Sequence, residues 1–199
     1  MIIHEKLLEA TGATRLQFDS RETIFAENDI PRFYYQIVMG RVKLNNYCED
    51  GKEILQHILE EGQSVGESSL FIENVVYPVN AIAITPCTLL RLTQCQFYNL
   101  LIEKPEISME INRRISEFLY FKQIMGQILC THSPLFKIKA LLDYLKNNQE
   151  NREPFSFQIP FTRQELANLT GLCVETTIRA VKTMEKKHLL KIRHRKILY

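Results

Sequence analysis

Glu175 and Arg179 stand four residues apart in a segment, Val174 to Lys187, that reads as a helix, so both side chains fall on one face. An arginine can donate two hydrogen bonds to a guanine edge, and a glutamate can accept one from the cytosine amino group. Together they can read one G·C pair or two adjacent pairs. The same two residues could instead close an i,i+4 ion pair on a solvated face, worth only about 0.2–0.5 kcal/mol. Val174, Ile178 and Lys182 face outward beside them, and Arg193-His194-Arg195-Lys196 follows shortly after. The charge balance favours the first reading. Residues 134–199 hold 13 Lys and Arg against 6 Asp and Glu, a balance of +7, whereas residues 1–133 stand at −5. A basic C-terminal third joined to an acidic remainder points to a polyanionic partner.

Other chemistries find little support. Cys48, Cys87, Cys95, Cys130 and Cys173 form no Cys-x-x-Cys pair, and their odd number suits reduced thiols in a cytoplasm. The five histidines, at 4, 57, 132, 188 and 194, have no metal-ligand spacing. His57, Cys48 and His132 are conceivable haem ligands, but surface or packing roles suit each better. No Ser/His/Asp set or phosphate-cradling glycine loop occurs, and Glu67 has no carboxylate partner for acid–base work. We therefore expect no enzyme, no metal and no cofactor. No apolar run reaches the ~18 residues of a membrane span, and the first residues do not make a secretory signal. With 199 residues, 45% of them hydrophobic, the chain can fold as one large domain or two small ones.

The elements that must position these residues follow from periodicity. Phe33 to Met39, Arg41 to Asn45, Glu53 to Leu59, Val79 to Ile84 and Cys87 to Leu92 read as strands, with a hairpin turn at Asp50-Gly51. Short strands at this spacing indicate an all-β sandwich or barrel. After Pro105 the period changes to that of a helix about 25 residues long. Its apolar stripe, Ile107, Ile111, Ile115, Phe118, Met125 and Leu129, is expected to pack both on its own β domain and on a twin helix, with Leu119 and Phe121 widening it. Ser133-Pro134 starts a further helix, Leu135 to Lys146. Thr162-Arg163-Gln164-Glu165 is a capping box with Phe161 as staple, and Gly171 allows a tight turn into the helix at Val174. Two short helices around a glycine turn make a helix-turn-helix. Leu189 to Ile192 and Ile197 to Tyr199 then flank the basic residues as a hairpin wing.

Thr162-Arg163-Gln164-Glu165-Leu166-Ala167, Thr170-Gly171-Leu172, Glu175-Thr176 and Arg179 together resemble the helix-turn-helix of the Crp/Fnr transcription regulators. Gly40-Arg41-Val42-Lys43-Leu44, Asp50-Gly51-Lys52-Glu53 and Gly66-Glu67 with Leu70-Phe71 occur in the same order in that family's β-roll. The resemblance covers residues 15–199. It implies an α+β fold: an antiparallel β-roll of the double-stranded β-helix or jelly-roll type over 1–104, a dimerisation helix over 105–132 and a winged helix-turn-helix over 133–199. It also implies a homodimer through Ile111, Ile115, Phe118, Met125 and Leu129. Val174, Glu175, Ile178 and Arg179 would read bases, and Thr162, Arg163, Gln164, Thr176, Lys182 and Arg193 would lie at phosphates of double-stranded DNA. RNA polymerase is a further implied partner, and no membrane is.

Departures from the pattern bear on the effector. Cyclic-AMP-responsive members hold the cyclic phosphate with an Arg-Ser pair ten and eleven residues after the ribose-binding Glu. Here Glu67, followed by Ser68, occupies the Glu position, and the pair is replaced by Tyr77 and Pro78. Tyrosine brings no cation and proline no N–H, so a buried phosphate would go unpaired. Lys122, on the long helix, could supply a cation, but pairing with a nearby acid is the reading we favour. The tentative pocket is therefore Glu67, Ser68, Tyr77, Pro78 and Lys122, with an unknown effector and no response to cyclic AMP. Val174 sits where many members carry Arg, Ile178 is placed to touch a thymine methyl, and Cys173 replaces the usual Ser or Thr as a weak cap. The cysteine cluster of iron–sulfur-sensing members is absent, since no cysteine precedes Cys48. The expectation is a cytoplasmic, dimeric, sequence-specific DNA-binding transcription regulator. The alternative is a small-molecule sensor acting through protein contacts, with a degenerate DNA module. An intact Glu175/Arg179 pair beside a basic wing favours the former.

Overall fold

The computed structural model describes residues 1–199, which divide into two compact units, Met1–Phe118 and Leu119–Tyr199. The first unit contains α1 (Glu5–Ala10) and eight strands: β1 (Thr14–Phe18), β2 (Thr23–Phe25), β3 (Phe33–Met39), β4 (Val42–Tyr47), β5 (Glu53–Leu59), β6 (Ser64–Val65), β7 (Asn80–Ala83) and β8 (Cys87–Thr93). A short 3₁₀ turn, Glu67–Phe71, lies between β6 and β7. The strands form two antiparallel four-stranded sheets, ordered β1-β8-β3-β6 and β2-β7-β4-β5. This is the double sheet of an antiparallel β-roll.

Alternation along each strand decides what lies where. Tyr35, Ile37, Val65 and Leu89 of one sheet meet Val42, Leu44, Leu59, Ala81 and Ala83 of the other in a core between the sheets. The opposite parity of β3 and β8 sends Tyr34, Leu90 and Leu92 to the outer face. There they pack with Leu8 of α1, with Phe97 and Leu100 of α2 (Gln94–Glu103), and with Ile107 and Ile111 of α3 (Pro105–Cys130). Tyr34 stacks on Phe97 with ring centroids 4.3 Å apart. Gln36, buried on the same face, ties down the N-terminus: its Oε1 accepts from Ile3 N–H at 2.9 Å and its Nε2 donates to Ile3 C=O at 2.7 Å.

This packing corrects the expected dimer stripe. Ile111 is 2% exposed inside its own domain's core, Ile115 packs against that core, and Phe118 lies edge-on to His57 of β5. Met125 is likewise buried, at 6% exposure. Helical periodicity identifies an apolar face but not its occupant, and the protomer itself covers most of this one. Leu129, of the same stripe, stays open at 45% exposure, and further residues of α3 are open with it. Met109, Asn112, Ser116, Leu119, Gln123, Gly126 and Cys130 are exposed and recur at alternating steps of three and four, Leu119 at 57% exposure. Leu119, expected to widen the buried stripe, belongs to this open face instead.

In the second unit, the rest of α3 is followed by α4 (Pro134–Asn147), α5 (Arg163–Thr170), α6 (Val174–Lys186) and a hairpin of β9 (Lys191–Arg193) and β10 (Lys196–Leu198). Phe121 and Tyr120 of α3 lie beside Tyr144 of α4, with ring centroids 5.5 and 6.4 Å apart. Ser133 caps α4 ahead of Pro134, as the sequence implies. Ile138, Leu141, Leu142, Leu166, Ala180, Val181, Met184 and Ile197 are fully or almost fully buried.

Candidate nucleic-acid interface and sensor pocket

Local sequence builds the helix pair. The Thr162 hydroxyl accepts from Glu165 N–H at 3.1 Å, and the Glu165 carboxylate accepts from Thr162 N–H at 2.6 Å, so both halves of the capping box are present. Removing it with Thr162→Ala should cost about 1 kcal/mol. Chemical denaturation should register that loss, and Thr162→Ser should recover most of it. At the other end Gly171 adopts φ +67°, which lets the chain leave α5 sharply. The Leu129 side chain of α3 lies next to this turn, 3.7 Å from where a Cβ on Gly171 would stand.

On α6, Ala180, Val181 and Met184 point inward, while Glu175, Ile178, Arg179, Lys182, Thr183 and Lys186 form an unbroken exposed stripe. Ile178 is 37% exposed, an apolar side chain within an otherwise polar face. Val174 and Thr176, at the start of the helix, are half-buried. The Arg179 guanidinium donates to the Glu175 backbone carbonyl at 3.4 Å, which is not the carboxylate contact of an i,i+4 ion pair. Cys173 at the helix start makes no capping bond through its side chain. Its sulfur sits 2.9 Å from the Thr176 hydroxyl, and this contact pulls the thiol below its ordinary range.

The wing turns at His194 and Arg195, both at positive φ, the backbone that a two-residue hairpin turn needs. Phe157 and Ile159 extend the hairpin through backbone hydrogen bonds to Tyr199 and Ile197. Arg163, expected at a phosphate, donates from Nη1 to the Arg195 carbonyl, linking the start of α5 to the wing. Gln164 bonds Asn168 on its own helix at 2.8 Å, and Arg193 and Lys182 are exposed.

In the first unit Glu67 opens the 3₁₀ turn after Gly66, which is at φ +74°. Burial holds the Glu67 carboxyl above the usual carboxylate range. Ser68 follows it on the turn. Tyr77 is 3% exposed, its ring stacked on Phe25 with centroids 3.7 Å apart and planes 12° from parallel. Burial is also the main cause pushing its phenol up. Pro78 contributes only its carbonyl, which accepts from Asn46 Nδ2 at 2.8 Å. Glu67, Ser68, Tyr77 and Pro78 thus all belong to the β-roll unit.

Lys122 lies on the part of α3 that belongs to the second unit. Burial pushes its ammonium down to about 8. An unfolded lysine titrates near 10.4, so between those values the unfolded chain binds the extra proton and stability rises with pH. The parent should therefore gain stability relative to Lys122→Met as the pH is raised from 8 to 10. A difference in melting temperature that stays constant over this range would contradict the assignment.

The fold fits the comparisons. Residues 15–104 match the cyclic nucleotide-binding domain and residues 138–199 the Crp-like helix-turn-helix domain. The chain belongs to the Crp/Fnr family. Among curated proteins it is 26% identical over 184 residues to the cAMP-activated global transcriptional regulator CRP of Pasteurella multocida, covering 87% of this chain and 84% of that one. Among solved structures, the c-di-GMP-responsive global regulator CLP of Xanthomonas campestris superposes with a TM-score of 0.77 at 25% identity, covering 98% and 96% of the two chains. A CooA mutant from Carboxydothermus hydrogenoformans gives 0.79 at 16% identity over 98% and 86%, a likeness of fold. This Crp/Fnr chain is thus a transcription regulator with a helix-turn-helix DNA-binding domain. No helix in it is long and apolar enough to cross a membrane.

The sequence reading missed α1, α2 and the two N-terminal strands. A signal for α2 was present: Thr93 and Gln96 form a second complete capping box. Arg91 of β8 carries no such local signal. Its guanidinium sits 4.4 Å from the centre of the Phe33 ring.

Proposed function

We propose that this regulator binds a palindromic DNA site as a homodimer in the cytoplasm, through α6, and that it does so without cyclic AMP. The observation that carries the DNA reading is the exposed stripe of α6, on which Arg179 is free of the Glu175 carboxylate and exposed. Helices of this kind enter successive major grooves about 34 Å apart when a dimer presents two of them. Val174, Glu175, Ile178 and Arg179 then meet base edges, while Thr162, Gln164, Thr176, Lys182 and Arg193 lie toward phosphates. Arg163 serves by bracing the wing. The open face of α3 through Leu119 and Gly126 supplies the seam to the second copy. RNA polymerase is the further partner at the promoter, and the protein has no catalytic role.

Independence from cyclic AMP rests on Tyr77 and Pro78. Neither supplies a cation or an N–H, and the Tyr77 ring lies buried where it stacks on Phe25. A phosphate brought beside the Glu67 carboxyl would meet a like charge or an unmet desolvation cost. Selection from a random duplex pool with the purified protein should return a palindrome with a G·C pair in each half. Calorimetric titration with cyclic AMP and cyclic GMP should give no heat at millimolar ligand. Recovery of unselected sequence would defeat the DNA reading, and micromolar cyclic AMP binding the effector reading.

A further inference from the structure

The Tyr77 ring occupies a particular place within the β-roll. A Cβ built on Gly66 would stand 2.9 Å from Tyr77 Cε1 and 2.8 Å from Phe25 Cζ, so the stacked pair rests directly on the glycine that begins the 3₁₀ turn. Tyr77 is also fixed at its backbone. Its N–H donates to Asp29 C=O at 2.8 Å, and its own C=O accepts from Asn28 N–H at 2.9 Å. The ring hydroxyl reaches Phe33 C=O only at 3.5 Å, so the ring is held by its faces rather than by its polar end.

From Gly66 the structure continues without a break to the start of the long helix. The turn carries Glu67 at its first position and ends at Leu70 and Phe71. The Leu70 carbonyl accepts from Gln94 Nε2 at 2.9 Å and from the Tyr98 hydroxyl, both on α2. Leu70 also shares one buried cluster with Leu100 of α2 and with Ile107 and Ile111 of α3. Lys104 alone separates α2 from α3, and Ser108 Oγ donates back to Leu101 C=O at 2.9 Å across that joint. A ring pressed on Gly66 therefore fixes the turn, the turn fixes α2 through the Leu70 carbonyl, and α2 fixes the start of α3. Close-packed interiors pass displacements along such a chain of contacts.

We infer that Tyr77 acts as a built-in ligand of the sensor domain, its ring holding the 3₁₀ turn, α2 and the start of α3 in the DNA-binding arrangement. The inference rests on the regulator reading above. It also names the class of ligand the site takes once the ring is removed. A space walled by Phe25 and Gly66, with Tyr35 nearby, suits a flat, neutral arene, and apolar cavities of ring size do bind such molecules.

The test uses full-length protein with Tyr77→Ala, and p-cresol, which reproduces the missing side chain. DNA affinity is read on the duplex that the parent selects, alongside thermal melting. Tyr77→Ala should bind that duplex at least tenfold more weakly. Millimolar p-cresol should restore most of the loss and raise the melting temperature. Tyr77→Phe, which keeps the ring, should stay within twofold of the parent, and p-cresol should not affect the parent. Should Tyr77→Ala not fold, Tyr77→Leu replaces it: weakened DNA binding by a folded Leu variant supports the inference, and parental binding overturns it. The inference is also overturned if folded Tyr77→Ala binds DNA like the parent, or if p-cresol changes neither its melting nor its affinity. A parent that selects no sequence at all would instead refute the regulator reading.

Discussion

Arg179→Ala should cost about 1–3 kcal/mol in each half-site, the worth of one well-placed arginine–guanine contact. A dimer uses the residue twice, so the loss is about 2–6 kcal/mol, or between about thirtyfold and about 10⁴-fold in affinity. Folding should be untouched, because Arg179 is exposed and its hydrogen bond is to a carbonyl of its own helix. The change should also be selective. Replacing the contacted G·C pair should weaken the parent strongly and the variant hardly at all. Lys182→Ala provides the contrast. A phosphate contact carries no sequence information, so every duplex should weaken alike, and the slope of log affinity against log salt should flatten by about one per phosphate lost. Fluorescence anisotropy on the selected duplex and its base-substituted versions, across salt concentrations, separates the two effects. If Arg179→Ala left the base preference of the parent intact, base reading would belong to other residues.

What was legible in the sequence depended on whether the signal was local. The capping box at Thr162, the αL glycine at 171 and the hairpin turn at Asp50-Gly51 are determined by neighbouring residues, and each stands in the structure as read. Strands β3 and β5 likewise follow from runs of seven residues rich in aromatic and branched side chains, bounded by turns. The first 32 residues carry shorter signals. Strand β2 is three residues long, and α1 is six residues long behind Ile3, which the distant Gln36 amide holds and no local pattern foretells. The stacking of Tyr77 on Phe25 joins residues 52 apart in sequence, so the sequence could suggest that Tyr77 fills space but not on what. The long helix shows the same limit. Ile111, Ile115 and Phe118 mark an apolar face correctly, yet whether the protomer or its twin covers that face is a question of tertiary packing.

The proposed seam between protomers yields the second large effect. Gly126 lies within α3, exposed, and a Cβ there would meet nothing within 4 Å in its own chain. A glycine inside an exposed helix costs about 1 kcal/mol against alanine, and nothing in the protomer offsets that cost. Close approach of a second helix in the proposed dimer would, since only glycine lets the two backbones come together at that point. Leu119, two turns earlier on the same open face, would supply the apolar contact. Burying it on both protomers contributes about 3–6 kcal/mol. Leu119→Glu combined with Gly126→Glu would set like charges against each other along parallel helices and remove that contact. Light scattering at micromolar concentration should show a dimer for the parent and a folded monomer for the double variant. DNA affinity should fall accordingly to that of a single half-site. Ile111→Asp should behave differently, because its charge would be buried within one domain and would unfold the protomer rather than separate two. A double variant that stayed dimeric would place the seam elsewhere on the chain. An Ile111→Asp protein that stayed folded but became monomeric would return the seam to the stripe first read from the sequence.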